Sequence, residues 1–203
     1  MLLFKFLVTQ FKKIFFCKFI FVAPKKKGIL IFDRVNSDII LECASLNKEE
    51  CSVFDIRYES LNFFILLKAL KCKKNFKQNY ILEYIKFISP KLILTFNNTN
   101  PLFFKLKKRF SKIKFISIQN GLLENNFLNN EKKKNLKIDY IFCFNDFFKK
   151  YYSNRICGKV IPVGSIKNNN ATKKYKKRLG KKKKLLFISE YSYSNILSSN
   201  QHV

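Results

Sequence analysis

The sequence predicts an α/β protein built on a doubly wound parallel sheet. Three observations carry this: short apolar runs rich in Ile, Leu, Phe and Val recur along the chain, polar or turn residues bound each of them, and helical patterns separate one run from the next. A chain of 203 residues, 47% apolar and 16% aromatic, is long enough for one full domain with a buried core and the beginning of a second.

The elements follow in order. Gly28–Asp33 is a short apolar run ending in an acid, the pattern of a first buried parallel strand. Asp38–Lys48 reads as a helix and Cys51–Ile56 as a second strand. Leu61–Leu70 and Tyr80–Ile88 are helical by length and apolar spacing, and Pro90 stops the latter. Lys91–Phe96 is a strand, Pro101–Phe110 a helix with proline in its first turn, and Ile113–Ile118 a strand. Leu136–Phe144, Asp146–Ser153 and Lys159–Val163 complete the pattern as strand, helix and sixth strand. From Lys167 the composition turns to Lys and Asn, which reads as an exposed linker, and Lys184–Ser189 resembles a fresh first strand. The expected organisation is a basic amphipathic segment over 1–24, a Rossmann-like domain over 25–166, a linker over 167–183, and the first strand of a truncated second α/β domain over 184–203.

Charge comes next. There are 41 basic and 13 acidic residues, a net charge of +28. Lys far outnumbers Arg, and Asn, Ile, Phe and Lys are abundant together, as in chains from AT-rich genomes, so part of the charge is background. What remains favours solvated lysine faces and contact with an anionic membrane surface or anionic substrate over nucleic acid. The first 23 residues are apolar and aromatic but interrupted by Lys5, Lys12, Lys13 and Lys18, which argues against a spanning helix. Two readings stay open for them, a structural helix and a segment lying on a membrane surface.

Six cysteines (Cys17, Cys43, Cys51, Cys72, Cys143, Cys157) form no CxxC pair, and the single histidine is His202, so no zinc site and no Ser/His or Cys/His catalytic pair is expected. Cysteines in apolar runs favour a reducing cytoplasm. Neither GxGxxG nor GxxxxGK[ST] occurs, so the domain does not read as a nucleotide-binding half, and no cofactor is expected. In doubly wound sheets ligands bind beyond the carboxyl ends of the strands. The candidates there are Asp33–Arg34, Arg57–Asn62, Asn97–Asn100, Gln119–Gly121 and Gly164–Ser165.

Read in order, GILIFD (28–33), DIRYESLN (55–62), TFNNTNP (95–101), ISIQNG (116–121), DYIFCF (139–144) and VIPVGSIKN (160–168) resemble the bacterial surface carbohydrate biosynthesis transferases of the O-antigen and capsule type. The resemblance runs from about Lys25 to Ser189. It implies the two-domain glycosyltransferase architecture called GT-B, with this chain as the acceptor-side N-terminal half. By that comparison Glu59, Asn62, Asn98, Asn100, Gln119, Asn120 and Gly121 would line the acceptor cleft, and Arg57, just past the end of its strand, is a further candidate to bind substrate. An inverting transfer needs a base for the acceptor hydroxyl, and Glu59, with Asp33 second, is the candidate. The implied partners are a lipid-linked or glycan acceptor, and a nucleotide-sugar donor only with a complementary C-terminal domain. The implied location is the cytoplasm, at the inner face of the inner membrane. The chain differs from the family pattern in having Asn97 and Asn98 where an acid is expected, and Leu122 and Leu123 where a base is expected. The reading from a different class is a noncatalytic protein that binds an anionic glycan or nucleic acid.

Overall fold

The computed structural model describes residues 17–55, 60–71, 76–121 and 136–169. Within them run β1 (Lys18–Ile20), β2 (Ile29–Phe32), α1 (Ser37–Cys43), β3 (Cys51–Phe54), β4 (Ser60–Asn62), α2 (Phe63–Leu70) and α3 (Phe76–Ile88). They continue with β5 (Leu92–Thr95), α4 (Pro101–Arg109), β6 (Lys114–Ile118), β7 (Leu136–Cys143), α5 (Asp146–Ser153) and β8 (Ile156–Pro162), and a further helical turn begins at 166.

Six strands form one sheet in the order β3-β2-β5-β6-β7-β8, and every neighbouring pair is parallel. The predicted α/β class and parallel sheet are what the molecule has. Successive residues of each strand serve opposite faces. Leu30, Phe32, Ile93 and Phe115 enter one core, while Ile31, Leu94 and Ile118 enter another. The first core is the larger and is covered by α2, α3, α4 and α5 through Ile65, Tyr80, Ile85, Phe103, Phe104 and Tyr152. The second is covered by Ile40 of α1 and by Ile166. Right-handed crossovers explain this division: the step from β2 to β3 runs one way along the sheet, the steps from β5 onward run the other way, and reversing direction moves the helices to the opposite face. The reversal falls between β2 and β5.

Local sequence explains most boundaries. Asn62, Asn100 and Asn145 stand just before α2, α4 and α5, and each side-chain oxygen accepts backbone N–H bonds of the first turn. Pro101 occupies the first turn of α4, where no N–H is required. Pro162 is tolerated in β8 because that strand is an edge. Between Lys137 and Tyr140 the pairing of β7 with β8 shifts by one residue. Gly158 lies opposite the shift, where a Cβ would run into the Ile138 carbonyl. The bulge aims Asp139 back toward β6: its carboxylate accepts from the Phe115 N–H at 2.8 Å, pairs with Lys107 at 2.8 Å, and lies 3.7 Å from Lys114.

One expectation needs correcting. Lys18–Ile20 lies in the basic segment for which a structural helix is one of the two readings, and it is a strand, not a helix. It pairs in parallel with β4, Phe19 opposite Leu61, and Cys17 joins the larger core. The run expected to be helical from Leu61 therefore begins as strand and turns helical only at Phe63. The expected strand at 184–189 lies outside the described residues.

Candidate functional site

The reversal of strand order leaves a gap between the loops that leave β2 and β5, because their chains depart to opposite faces. A cavity of about 250 Å³ occupies it, lined by Asp33, Val35, Asn36, Phe96–Thr99, Asn120 and Gly121. That is just under the lower end of the roughly 300–1,000 Å³ range of small-molecule pockets.

Its walls are built by short-range polar bonds. Thr95 Oγ1 donates to the Phe32 carbonyl at 2.7 Å, joining the ends of β2 and β5, and accepts from the Asn97 N–H at 3.1 Å. Asp33 follows β2 with φ at +125° and is nearly buried; its Oδ1 accepts from the Val35 N–H at 3.0 Å. A non-glycine residue held there is strained, and such strain is typical of sites where surrounding structure dictates a side chain's aim. Asn36, also at positive φ, opens α1 and directs its Nδ2 toward Asn120 Oδ1 at 3.5 Å. Asn97 Oδ1 accepts from both the N–H and the hydroxyl of Thr99.

Beneath this rim lie two amides that are almost completely buried, Asn98 at 3% exposure and Gln119 at 1%. Asn98 Nδ2 donates to Tyr152 Oη at 2.8 Å, and its Oδ1 accepts from the Asn120 N–H at 3.1 Å. Burial holds the Tyr152 phenol well above its ordinary pKa, more than the bond from Asn98 offsets, so the ring stays neutral. Gln119 Nε2 donates to the Gly121 carbonyl at 3.1 Å, and its Oε1 accepts from the Phe144 N–H at 3.0 Å. These two side chains sew the loops after β5, β6 and β7 into one floor.

A cation from the far edge of the sheet comes to stand over one of the lining residues. After β8 the chain turns at Gly164, with φ at +79°, and passes back over the second core, where Ile166 packs. Lys167 Nζ then stands 5.8 Å from the centre of the Phe96 ring.

The residues expected to bind are thus divided. Asp33, Asn98, Asn120 and Gly121 line the cavity, and Gln119 supports it from below. Asn100 caps α4 instead. Asn62 caps α2, donates to the Val22 carbonyl at 2.7 Å, and belongs to a second cavity of about 320 Å³ beside the open edge of β3, together with Asp55, Ser60, Tyr80 and Tyr84. Arg57 and Glu59 lie outside the described residues. Two contributors were not singled out from sequence. Asn36 could have been noticed as an amide directly before a helix, and Lys167 by reading Gly164–Ser165 as a turn into a helix rather than as the start of a linker.

A family model described as "putative O-antigen biosynthesis protein" matches residues 116–202. The match begins in β6 and takes in Gln119, Asn120, Gly121 and Lys167 of the site; it links this part of the chain to surface polysaccharide biosynthesis. No curated protein and no solved structure matches.

Proposed function

We propose that the cavity between β2 and β5 binds a sugar of a surface-polysaccharide acceptor, and that the protein is the acceptor-side part of a nucleotide-sugar-dependent glycosyltransferase of the GT-B kind. The observation that carries the reading is the chemistry of the rim. It offers one carboxylate and several amides, Asp33, Asn36, Asn97 and Asn120, with a threonine hydroxyl, around a cavity at the point of the sheet where ligands bind. A carboxylate presents a planar pair of acceptors and an amide a planar pair of one donor and one acceptor, and both suit the vicinal hydroxyls of a sugar ring. Lys167, over the buried Phe96 ring that forms part of the cavity wall, adds a positive charge nearby, which suits an acidic or phosphorylated sugar.

Asp33 is the single carboxylate lining this cavity among the described residues and takes the role of base toward the acceptor hydroxyl. The Val35 N–H orients one of its oxygens and leaves the other for a ligand. The similarity to O-antigen biosynthesis proteins supports the pathway assignment and does not itself specify transfer chemistry.

Titration of the whole chain with a panel of O-antigen oligosaccharides tests the reading. Asn97→Ala and Asn120→Ala should each weaken binding about ten-fold, the scale of one lost hydrogen bond to a ligand. Ser60→Ala, in the cavity beside β3, should leave binding unchanged; sensitivity to Ser60→Ala alone would move the site to that cavity. Asp33→Asn keeps the oxygen that accepts from Val35. It should preserve oligosaccharide binding while abolishing transfer from a nucleotide-sugar, and binding without transfer by the unaltered protein would favour the noncatalytic glycan-binding reading.

A further inference from the structure

Away from the rim cavity, and running out from the wall of the cavity beside β3 that Ile20 and Val22 help to line, the molecule carries an apolar face that its own described residues leave open. β1 runs out through Ile20, Phe21 and Val22, of which Phe21 is 65% and Val22 74% exposed. Beside it α2 exposes Phe64, Leu67 and Leu70, the last at 59%. The spacing of three residues places these along one side of the helix, while Ile65 and Ala69 on the other side are buried. The two halves are continuous: the rings of Phe21 and Phe63 are 5.3 Å apart, and Phe63 meets Phe64 edge-on at 6.4 Å. Single exposed apolar residues are ordinary, but a contiguous cluster of this kind marks a contact surface.

The charges of the same two segments select the partner. Residues 17–27 carry Lys18, Lys25, Lys26 and Lys27, and residues 60–71 carry Lys68 and Lys71; neither segment contains an acid. Aromatic and aliphatic side chains on segments whose only charged residues are lysines match a bilayer, whose headgroup layer receives the rings and whose anionic phosphates meet the ammonium groups. Lysine stems can lie along the apolar face while their ends reach the phosphates. We propose that this face docks the protein onto an anionic lipid bilayer, with Phe21, Val22, Phe64, Leu67 and Leu70 entering the headgroup layer. The inference stands apart from the sugar-binding reading, since the face and the rim cavity share no residue.

The chain contains no tryptophan, so a single introduced one reports its own surroundings. In the whole protein, Phe21→Trp and Phe64→Trp should shift to shorter emission wavelength on mixed phosphatidylcholine and phosphatidylglycerol vesicles, and brominated lipid should quench them. Phe147→Trp, at a position 72% exposed on α5, should do neither. Each change keeps an aromatic ring, so the readout does not depend on deleting a packed side chain. In vesicle sedimentation Lys25→Gln with Lys26→Gln should weaken binding about ten-fold or more, each lysine near the surface contributing separately. Lys105→Gln with Lys108→Gln, which removes the same charge from exposed positions on α4, should weaken it less than about two-fold. Equal losses from the two pairs, or equal quenching at all three tryptophans, would mean adsorption through net charge and would overturn the proposal. So would the absence of any spectral change with vesicles. A blue shift at Phe21→Trp without lipid would also overturn it, assigning the face to a second copy if the shift grows with protein concentration and to the chain itself if it does not.

Discussion

The floor and the rim of the cavity between β2 and β5 are made of the same residue types, often from adjacent positions, and they behave oppositely. Asn98 and Gln119 are buried with both ends of their amides bonded to protein, whereas their neighbours Asn97 and Asn120 stand at the rim with capacity to spare. What separates them is a single step along the chain. At the end of a strand successive side chains point to opposite sides, so one residue of each pair turns into the protein and its neighbour turns toward the cleft. An amide in a loop after a strand is therefore no indication of binding until its direction is known. The floor contributes rigidity, and the rim contributes chemistry that rigidity holds in place.

The comparison predicts a graded series of effects. Asn98→Ala should be the most damaging, lowering stability by about 2–4 kcal/mol in urea unfolding, because it leaves the buried Tyr152 hydroxyl and the part-buried Asn120 N–H without their partner. Tyr152→Phe should cost less in that background than in the unaltered protein, a coupling of about 0.5–3 kcal/mol in a double-mutant cycle. Additive losses would mean that the floor is not one network. Gln119→Ala should cost about 1–3 kcal/mol by the same reasoning, since it releases the Phe144 N–H and the Gly121 carbonyl.

Asp139 offers a comparison outside the cavity, a polar group whose partners are charged. Burial alone would raise its pKa, but bonds from Lys107 and the Phe115 N–H, with the charges of Lys107 and Lys114, outweigh burial and lower it below the usual 3.8. A depressed folded-state pKa stabilises the fold fully above the unfolded value and loses that contribution as pH falls through the folded one. Stability measured from about pH 5 downward should therefore decline more steeply in the unaltered protein than in Asp139→Asn. Parallel curves would show that Asp139 plays no part in acid unfolding. The smallest effects on stability belong to the rim, where Asn97→Ala and Asn120→Ala should stay within about 0.5 kcal/mol while weakening oligosaccharide binding. A rim substitution as damaging as Asn98→Ala would erase the distinction between the two layers.

Much of this fold was legible because its central strands, β2 and β5, are short, continuous apolar runs buried on both faces. Lys91–Phe96 and Ile113–Ile118 contain the observed β5 and β6, and α5 spans the expected Asp146–Ser153. Helix starts were legible where the cap is chemical: Asn100 followed by Pro101 announces α4 in two residues. Other parts were not. β1 and β4 are three residues each, and their pairing joins positions about forty residues apart. Lys18–Val22 does alternate toward β-branched and aromatic residues, but a strand this short gains its identity from its partner.

The amino-acid sequence by itself determined the class of the protein, the alternation of strand and helix, and the polar loops after β2, β5 and β6, because hydrophobic periodicity and capping act over a few neighbouring residues. Tertiary structure alone decided the strand order, the place where that order reverses, and which amides became floor and which became rim. It also brought Lys167 back from the far edge of the sheet to Phe96 and left Phe21 and Leu67 without a cover among the described residues. These depend on contacts between segments distant in the chain, and such contacts exist only once the sheet has assembled.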